Sequence, residues 1–284
     1  MKINYTVILT VFGRQEVFFD QISSLKNQTI QPKEIIVFID KHPSKSSPEI
    51  KSYCNSNKIQ FFESNINTGV WGRFAISLLA KGDYIFILDD DIIPGKKWFE
   101  HSLSYLIKYN CVIGGVGVLF KKNTSDYSVE KRIGWVSPND KQIEADVIGH
   151  CWGAKRNFFE EFWKNSQDHH LYRKSGEDIQ FSFQARKLGL SIIVPYHGSD
   201  SEYWSNIKGT KFGTNEEALS LNPKAVLRMA KYLKKVRHNG FKYLSETDHE
   251  KFVENEIGYN VKVNNGYIHY LKASILNILR KNGR

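Results

Sequence analysis

The chain has 284 residues, 41% hydrophobic and 25% charged, which excludes a disordered or membrane-embedded protein and leaves one large α/β domain with an appendage, or two small domains. Its formal net charge of +10 is uneven: residues 221–284 carry 13 Lys and Arg against 5 Asp and Glu, so the first 220 residues are close to neutral. The widely spaced Cys54, Cys111 and Cys151 form no CxxC pair and no zinc pattern, and read as reduced thiols of a cytoplasmic protein.

Residues 5–12 form a compact β-branched and aromatic run. It is too short for a secretory signal and predicts a first buried strand. Val17, Phe18, Ile22 and Leu25 follow at helical spacing. Residues 34–39 predict a second strand, ending at Asp40; a turn-rich stretch and a short polar helix come next. Residues 59–62 predict a third strand, 74–79 a helix, and 84–88 a fourth strand that runs into Asp89, Asp90 and Asp91. Strand and helix alternate, which predicts a mostly parallel sheet flanked by helices. Ligands of such sheets lie outside the carboxyl ends of the strands, where Asp40 and the three aspartates fall. The second half is less regular. Residues 111–120 predict one glycine-containing strand, 121–140 a polar loop, and 145–148 a strand. Residues 158–163 and 178–188 predict helices, 191–194 a last strand, and 199–213 a loop. No run of about 18 apolar residues occurs, so no transmembrane helix is expected.

Alternate residues of an extended segment point the same way, so Asp89 and Asp91 can aim at one point and Asp90 away from it. Paired carboxylates suit Mn²⁺ or Mg²⁺ held together with a diphosphate. Glu177 and Asp178 open a predicted helix, where acids favour the macrodipole and a carboxylate can also serve as general base. His197 follows the last strand and offers an imidazole that suits Mn²⁺-class ions. Asn67 and Gly69 suit a turn into a helix whose start would carry Arg73. Trp152, beside Gly149 and Gly153, either stacks on a sugar face or fills the core beneath the sheet.

In order along the chain these pieces resemble glycosyltransferase family 2. The resemblance spans roughly residues 5–197. It rests on the opening strand-turn from Thr10 to Arg14, then Ser24-Leu-Lys-Asn-Gln-Thr29 and Glu34-Ile-Ile-Val-Phe-Ile-Asp40. The Asn67, Gly69 and Arg73 segment, the DxD-like Leu88-Asp-Asp-Asp91 and the Gly176-Glu-Asp178 motif complete it. It implies the inverting GT-A fold, a Rossmann-like, mixed and mostly parallel sheet flanked by helices, over residues 1–220. A basic, mainly helical extension occupies 221–284. It further implies a nucleotide-sugar donor, UDP-linked by preference, bound by Thr10, Arg14, Asp40, Asn67, Gly69 and Arg73, with Asp89 and Asp90 beside them. Asp91, Asp89 and His197 would hold the metal, Asp178 would be the catalytic base with Glu177 as its alternate, and Trp152 and Gly153 would meet the sugar or acceptor.

The chain departs from the family pattern in two places. Lys41-His42-Pro43-Ser44 replaces the usual acidic-glycine turn, and no Q-x-x-R-W segment follows the acidic pair, which argues against a processive polymerase. Three rivals are a sugar-nucleotide pyrophosphorylase, a phosphatase with an aspartate nucleophile, whose D-x-D-x-T pattern lacks its Thr in Asp89-Asp-Asp-Ile-Ile93, and a nucleic-acid-binding module using the basic C-terminal part. The last would leave both acidic pairs unexplained. The basic part instead has two readings: its amphipathic helices pack against the catalytic domain and show their charges to water, or they contact an anionic membrane at its cytoplasmic face, where a glycan or lipid-linked acceptor would lie. Val226, Met229, Ala230, Leu233 and Val236 form one cation-flanked apolar stripe, and residues 267–280 a second.

Overall fold

The computed structural model describes residues 3–124, 126–134, 139–166, 173–208, 211 and 222–247. All seven residues of β1 (Tyr5–Val11) are buried, as a central strand covered on both faces requires. It lies between β2 (Glu34–Ile39) and β4 (Tyr84–Leu88) and is parallel to both, with β3 (Gln60–Glu63) parallel at the edge of β2. Helices α1 (Phe18–Lys26), α2 (Pro48–Ser56) and α3 (Gly72–Ile76) make the crossovers, so the predicted alternation of the first half is realised.

Beyond β4 the sheet changes character. An antiparallel strand, β10 (Cys151–Lys155), pairs with β4; β5 (Cys111–Ile113), β11 (Ser191–Val194) and β8 (Ile143–Glu144) complete eight strands in the order β3-β2-β1-β4-β10-β5-β11-β8. A second, antiparallel sheet runs β7-β6-β9, from β6 (Val116–Phe120), β7 (Val129–Gly134) and β9 (Val147–Gly149). Residues 111–120 are thus two strands in two sheets, parted at Gly114 and Gly115, and the predicted loop of 121–140 contains β7. Helices α4 (Trp98–Lys108), α5 (Arg156–Lys164) and α6 (Glu177–Lys187) cover the sheets.

Helix α7 (Pro223–His238) carries the first predicted apolar stripe. Asn222 caps it, its Oδ1 accepting the Lys224 and Ala225 N–H groups at 3.0 and 3.3 Å, and Pro223 opens the first turn. Leu233 and Val236 are buried as expected, joined by Tyr232. They pack with Ile179 and Phe183 of α6 and Val118 and Phe120 of β6. Each such side chain contributes about 1.5–3 kcal/mol of burial. This part of the extension is therefore built onto the catalytic body. The second stripe, 267–280, lies outside the described residues. Among the described residues no helix is long and apolar enough to cross a membrane.

Candidate active site

The acidic turn leaves the carboxyl end of β4, and its side chains alternate as the extended backbone dictates. Asp90 turns towards β1. Its Oδ2 accepts the Gly13 and Arg14 N–H groups at 2.8 and 3.0 Å, and its Oδ1 accepts Arg14 Nη1 at 2.7 Å. The same nitrogen lies 3.6 Å from Asp91. Arg14 and Asp90 are buried and commit their charges to each other. The two residues read from the sequence as nucleotide contacts thus also lock the turn after β1.

Asp89 and Asp91 share the other side with His150; one ligand atom from each lies within 4.8 Å of the others. The sheet register explains this meeting. Cys151 stands opposite Leu88 in the β10–β4 pair, so the residue before β10 falls beside the residue after β4, and the Asp89 N–H donates to the His150 carbonyl at 3.2 Å. His150 has φ 70°, a left-handed conformation that costs a non-glycine residue about 1–3 kcal/mol and tends to occur at functional sites. Burial, then the charges of Arg132, Arg14 and Arg73, push its pKa down to about 4, leaving a neutral imidazole. Burial and the neighbouring Asp89 charge push Asp91 up to about 7.

His197 is not brought to this cluster. It is wholly buried, its Nδ1 bonded to the Pro195 carbonyl and its Nε2 to Ser205 Oγ, both at 2.9 Å. Both ring nitrogens are thus engaged within the fold, and the imidazole beside the aspartates is His150.

Arg73 joins the two acidic motifs. Its Nη1 lies 2.6 Å from Asp89 Oδ1 and its Nη2 2.9 Å from Glu177 Oε1, while the guanidinium sits 4.7 Å from the Trp152 ring centre. Glu177 and Asp178 occupy the first turn of α6, where the helix N-terminus favours negative charge, and Arg186 and Lys187 close the last turn. Burial pushes Glu177 up to about 7, against the pull of Arg73. Burial, then the charges of Glu177 and Asp89, hold Asp178 well above the usual carboxylate range. The Trp152 indole N–H lies near enough to pull the other way, although neither it nor Asp178 Oδ1 completes a hydrogen bond among the described residues.

On the β1–β2 side, Asp40 is buried and its carboxylate is occupied by the chain. It accepts the Thr68 N–H at 2.9 and 3.2 Å and the Lys41 N–H at 2.9 Å. That holds the turn in which Asn67 Oδ1 accepts the Gly69 N–H at 2.8 Å. Gly69 has φ 70° and lies so close to the Arg173 carbonyl that a side chain would not fit. Thr10 Oγ1 is buried and meets no partner among the described residues.

Trp152 is 1% exposed, edge-on to Phe74 at 5.1 Å, and belongs to the core, so it cannot stack on a sugar. Gly153 is removed from the crevice as well: β10 crosses the Phe86 ring there, 2.4 Å from where a Cβ would stand. The strand β7 and the segment just before it instead bring Arg132 and Tyr127 near the site, close enough for Arg132 to act on His150 and for Tyr127 to sense Asp178. Sequence reasoning missed both, because the segment that holds them reads as a polar loop.

A parallel sheet with an antiparallel strand beside β4 and an acidic turn at the carboxyl end of β4 defines a GT-A glycosyltransferase. Solved structures share this fold. GalNAc-T7 with UDP, GalNAc and Mn²⁺ aligns over 90% of this chain and 57% of its own length at 14% identity, with a TM-score of 0.52. TarS of S. aureus aligns over 73% of this chain and 37% of its own at 16% identity, with a TM-score of 0.51. The chain belongs to glycosyl transferase family 2, whose model matches residues 6–163. A curated relative, the hyaluronan synthase of Pasteurella multocida, is 30% identical over 110 residues, 37% of this chain and 11% of the synthase. The chain therefore spans only a small part of that relative.

Proposed function

We propose that this transferase is inverting and metal-dependent, moving a sugar from a nucleotide-diphosphate sugar, a UDP-sugar by preference, to a hydroxyl of a glycan or lipid-linked acceptor in bacterial-type surface polysaccharide synthesis. The observation that carries this is the juxtaposition of two unlike acidic sets. Asp89 and Asp91 face His150, and Asp178, within reach of the Arg73 charge that also holds Asp89, has a buried oxygen with no partner among the described residues.

The residues fit a divalent cation. Asp91 Oδ1 is buried without a hydrogen-bond partner among the described residues, and two carboxylates with one imidazole suit Mn²⁺ better than Mg²⁺. Asp89, Asp91 and His150 would hold it, and when bound it would offset charge on the leaving diphosphate.

Asp178 rather than Glu177 is the base of this reading, since Glu177 is taken by Arg73 while Asp178 has an oxygen unengaged among the described residues and a raised proton affinity. It takes the acceptor hydroxyl proton as that oxygen attacks the anomeric carbon. The bond to the nucleoside diphosphate breaks on the opposite face, which inverts the configuration. Arg73 steadies Asp89 and adds positive charge beside the departing group. On this reading the base lies on the β1–β2 side, beside the buried Thr10 Oγ1, and Asp40 would accept the imide N–H of uracil in addition to the Thr68 and Lys41 N–H groups it already holds.

The outward cations of α7, Lys224, Lys231 and Lys234, with the exposed Leu227 between them, favour peripheral contact with an anionic membrane at the cytoplasmic face.

Asp178→Asn tests the assignment. Transfer should fall about 10²–10⁴-fold while donor affinity stays within a few-fold. Full transfer activity in the variant would move the role to Glu177 or refute the mechanism.

A further inference from the structure

The acidic turn owes its shape to two buried amides that approach it from opposite sides. From α1, Gln21 Nε2 donates to the Asp89 carbonyl at 2.8 Å and the Ile92 carbonyl at 2.9 Å. From the segment after β11, Asn206 Nδ2 donates to the Asp91 carbonyl at 2.8 Å, and Asn206 Oδ1 accepts the Ile93 N–H at 3.2 Å. Gln21 is 1% and Asn206 3% exposed. Four bonds thus fix the backbone on both sides of the two carboxylates that face His150.

The segment carrying Asn206 is itself strapped along the turn. The Ile207 N–H donates to the Ile93 carbonyl at 2.8 Å, the Gly95 N–H to the Trp204 carbonyl at 2.8 Å, and the Lys97 N–H to the Glu202 carbonyl at 2.7 Å. Ser205 Oγ, which His197 contacts, reaches the Gly115 carbonyl at 3.1 Å, and Lys208 Nζ meets Asp20 at 2.8 Å. His197 thus anchors the strap that holds Asn206. The described part of the predicted 199–213 loop is therefore a bonded element of the site.

We propose that Gln21 and Asn206 are positioning residues that aim Asp89 and Asp91 at His150. The assignment rests on the metal reading above and concerns residues that would never touch the cation. Its physical basis is that a peptide carbonyl turned by a buried amide fixes the direction of the side chain beside it, and loss of such outer partners typically weakens metal binding by about 10–100-fold.

The test is Mn²⁺ binding in the presence of UDP, read from the free-ion paramagnetic resonance signal, so that it does not depend on turnover. Asn206→Ala and Gln21→Leu each remove one half of the clamp, and Glu202→Gln weakens the half-buried Lys97–Glu202 ion pair of the same strap without touching the turn. Circular dichroism and melting identify which variants fold. Affinity should fall about 10–100-fold in either folded clamp variant, with the donor KM rising, and stay unchanged in Glu202→Gln. Unchanged Mn²⁺ affinity in a folded clamp variant, or an equal loss in Glu202→Gln, overturns the assignment. If the wild type binds no Mn²⁺, the metal reading itself fails. The clamp is then judged by UDP affinity in chelator: a loss confined to the clamp variants supports it and equal affinities overturn it.

Discussion

Replacing Arg73 with Met keeps the volume and the contact with Trp152 but removes the charge between two acids. The guanidinium lies 2.6 Å from Asp89 and 2.9 Å from Glu177, with side-chain exposures of 11% for Arg73, 23% for Asp89 and 8% for Glu177. At an effective dielectric near 20, each pair is worth about 4 kcal/mol of attraction. Desolvation of the ions offsets much of that, and removing one partner of such a group typically costs about 3–5 kcal/mol. Against a total stability of about 5–15 kcal/mol, that is a large loss. It also depends on pH. Burial already holds Glu177 up at about 7, so without Arg73 it rises further and takes a proton, shedding part of the repulsion. Urea unfolding of metal-free protein, followed by tryptophan fluorescence, should show a loss of about 3–5 kcal/mol at pH 8 and a smaller one at pH 5.5. Arg73→Lys, with one ammonium for two carboxylates, should fall between. A loss under about 1 kcal/mol at pH 8, or equal losses at both pH values, would refute the bridge.

Asp146 gives a second pH signature, away from the site. Its carboxylate accepts the Phe120 and Leu244 N–H groups at 2.8 and 2.6 Å, and burial pushes its pKa up to about 6. A carboxyl raised on folding binds more protons in the native state. Its contribution is therefore full below its ordinary pKa of about 4 and is lost as pH rises towards 6. Asp146→Asn should flatten the pH dependence of stability in that window, and an unchanged slope would count against the assignment. The two histidines separate cleanly: His150→Ala should raise the Mn²⁺ concentration needed for half-maximal activity about tenfold or more. His197→Ala should lower the melting temperature and affect Mn²⁺ less, by way of the strap. The reverse pattern would restore His197 as the ligand.

What could be read from the sequence follows how local each signal is. The strands β1, β2 and β4 are continuous apolar runs, and the acids after β4 are adjacent in sequence, so fold class and acidic turn were both legible. The strand β7 was not: Val129-Glu-Lys-Arg-Ile-Gly134 is largely polar, and it is a strand because β6 pairs with it. His150 was hidden for a related reason. Its nearness to Asp89 comes from the antiparallel register of β10 on β4, which no spacing along the chain reveals. His197 looked available because it follows a strand end, and only tertiary structure shows Ser205 and the Pro195 carbonyl closing on it. The α7 stripe was legible as amphipathic, but its partner was not; the structure places α6 against it.

If Asp89, Asp91 and His150 hold a divalent cation through which the donor's diphosphate is bound, UDP binding depends on that cation. Calorimetric titration of UDP into the wild type and Asp91→Asn, with Mn²⁺ and with chelator, reads this out. Binding should require Mn²⁺ in the wild type and fall by at least about tenfold in Asp91→Asn. Equal UDP affinity in Mn²⁺ and in chelator would contradict that dependence.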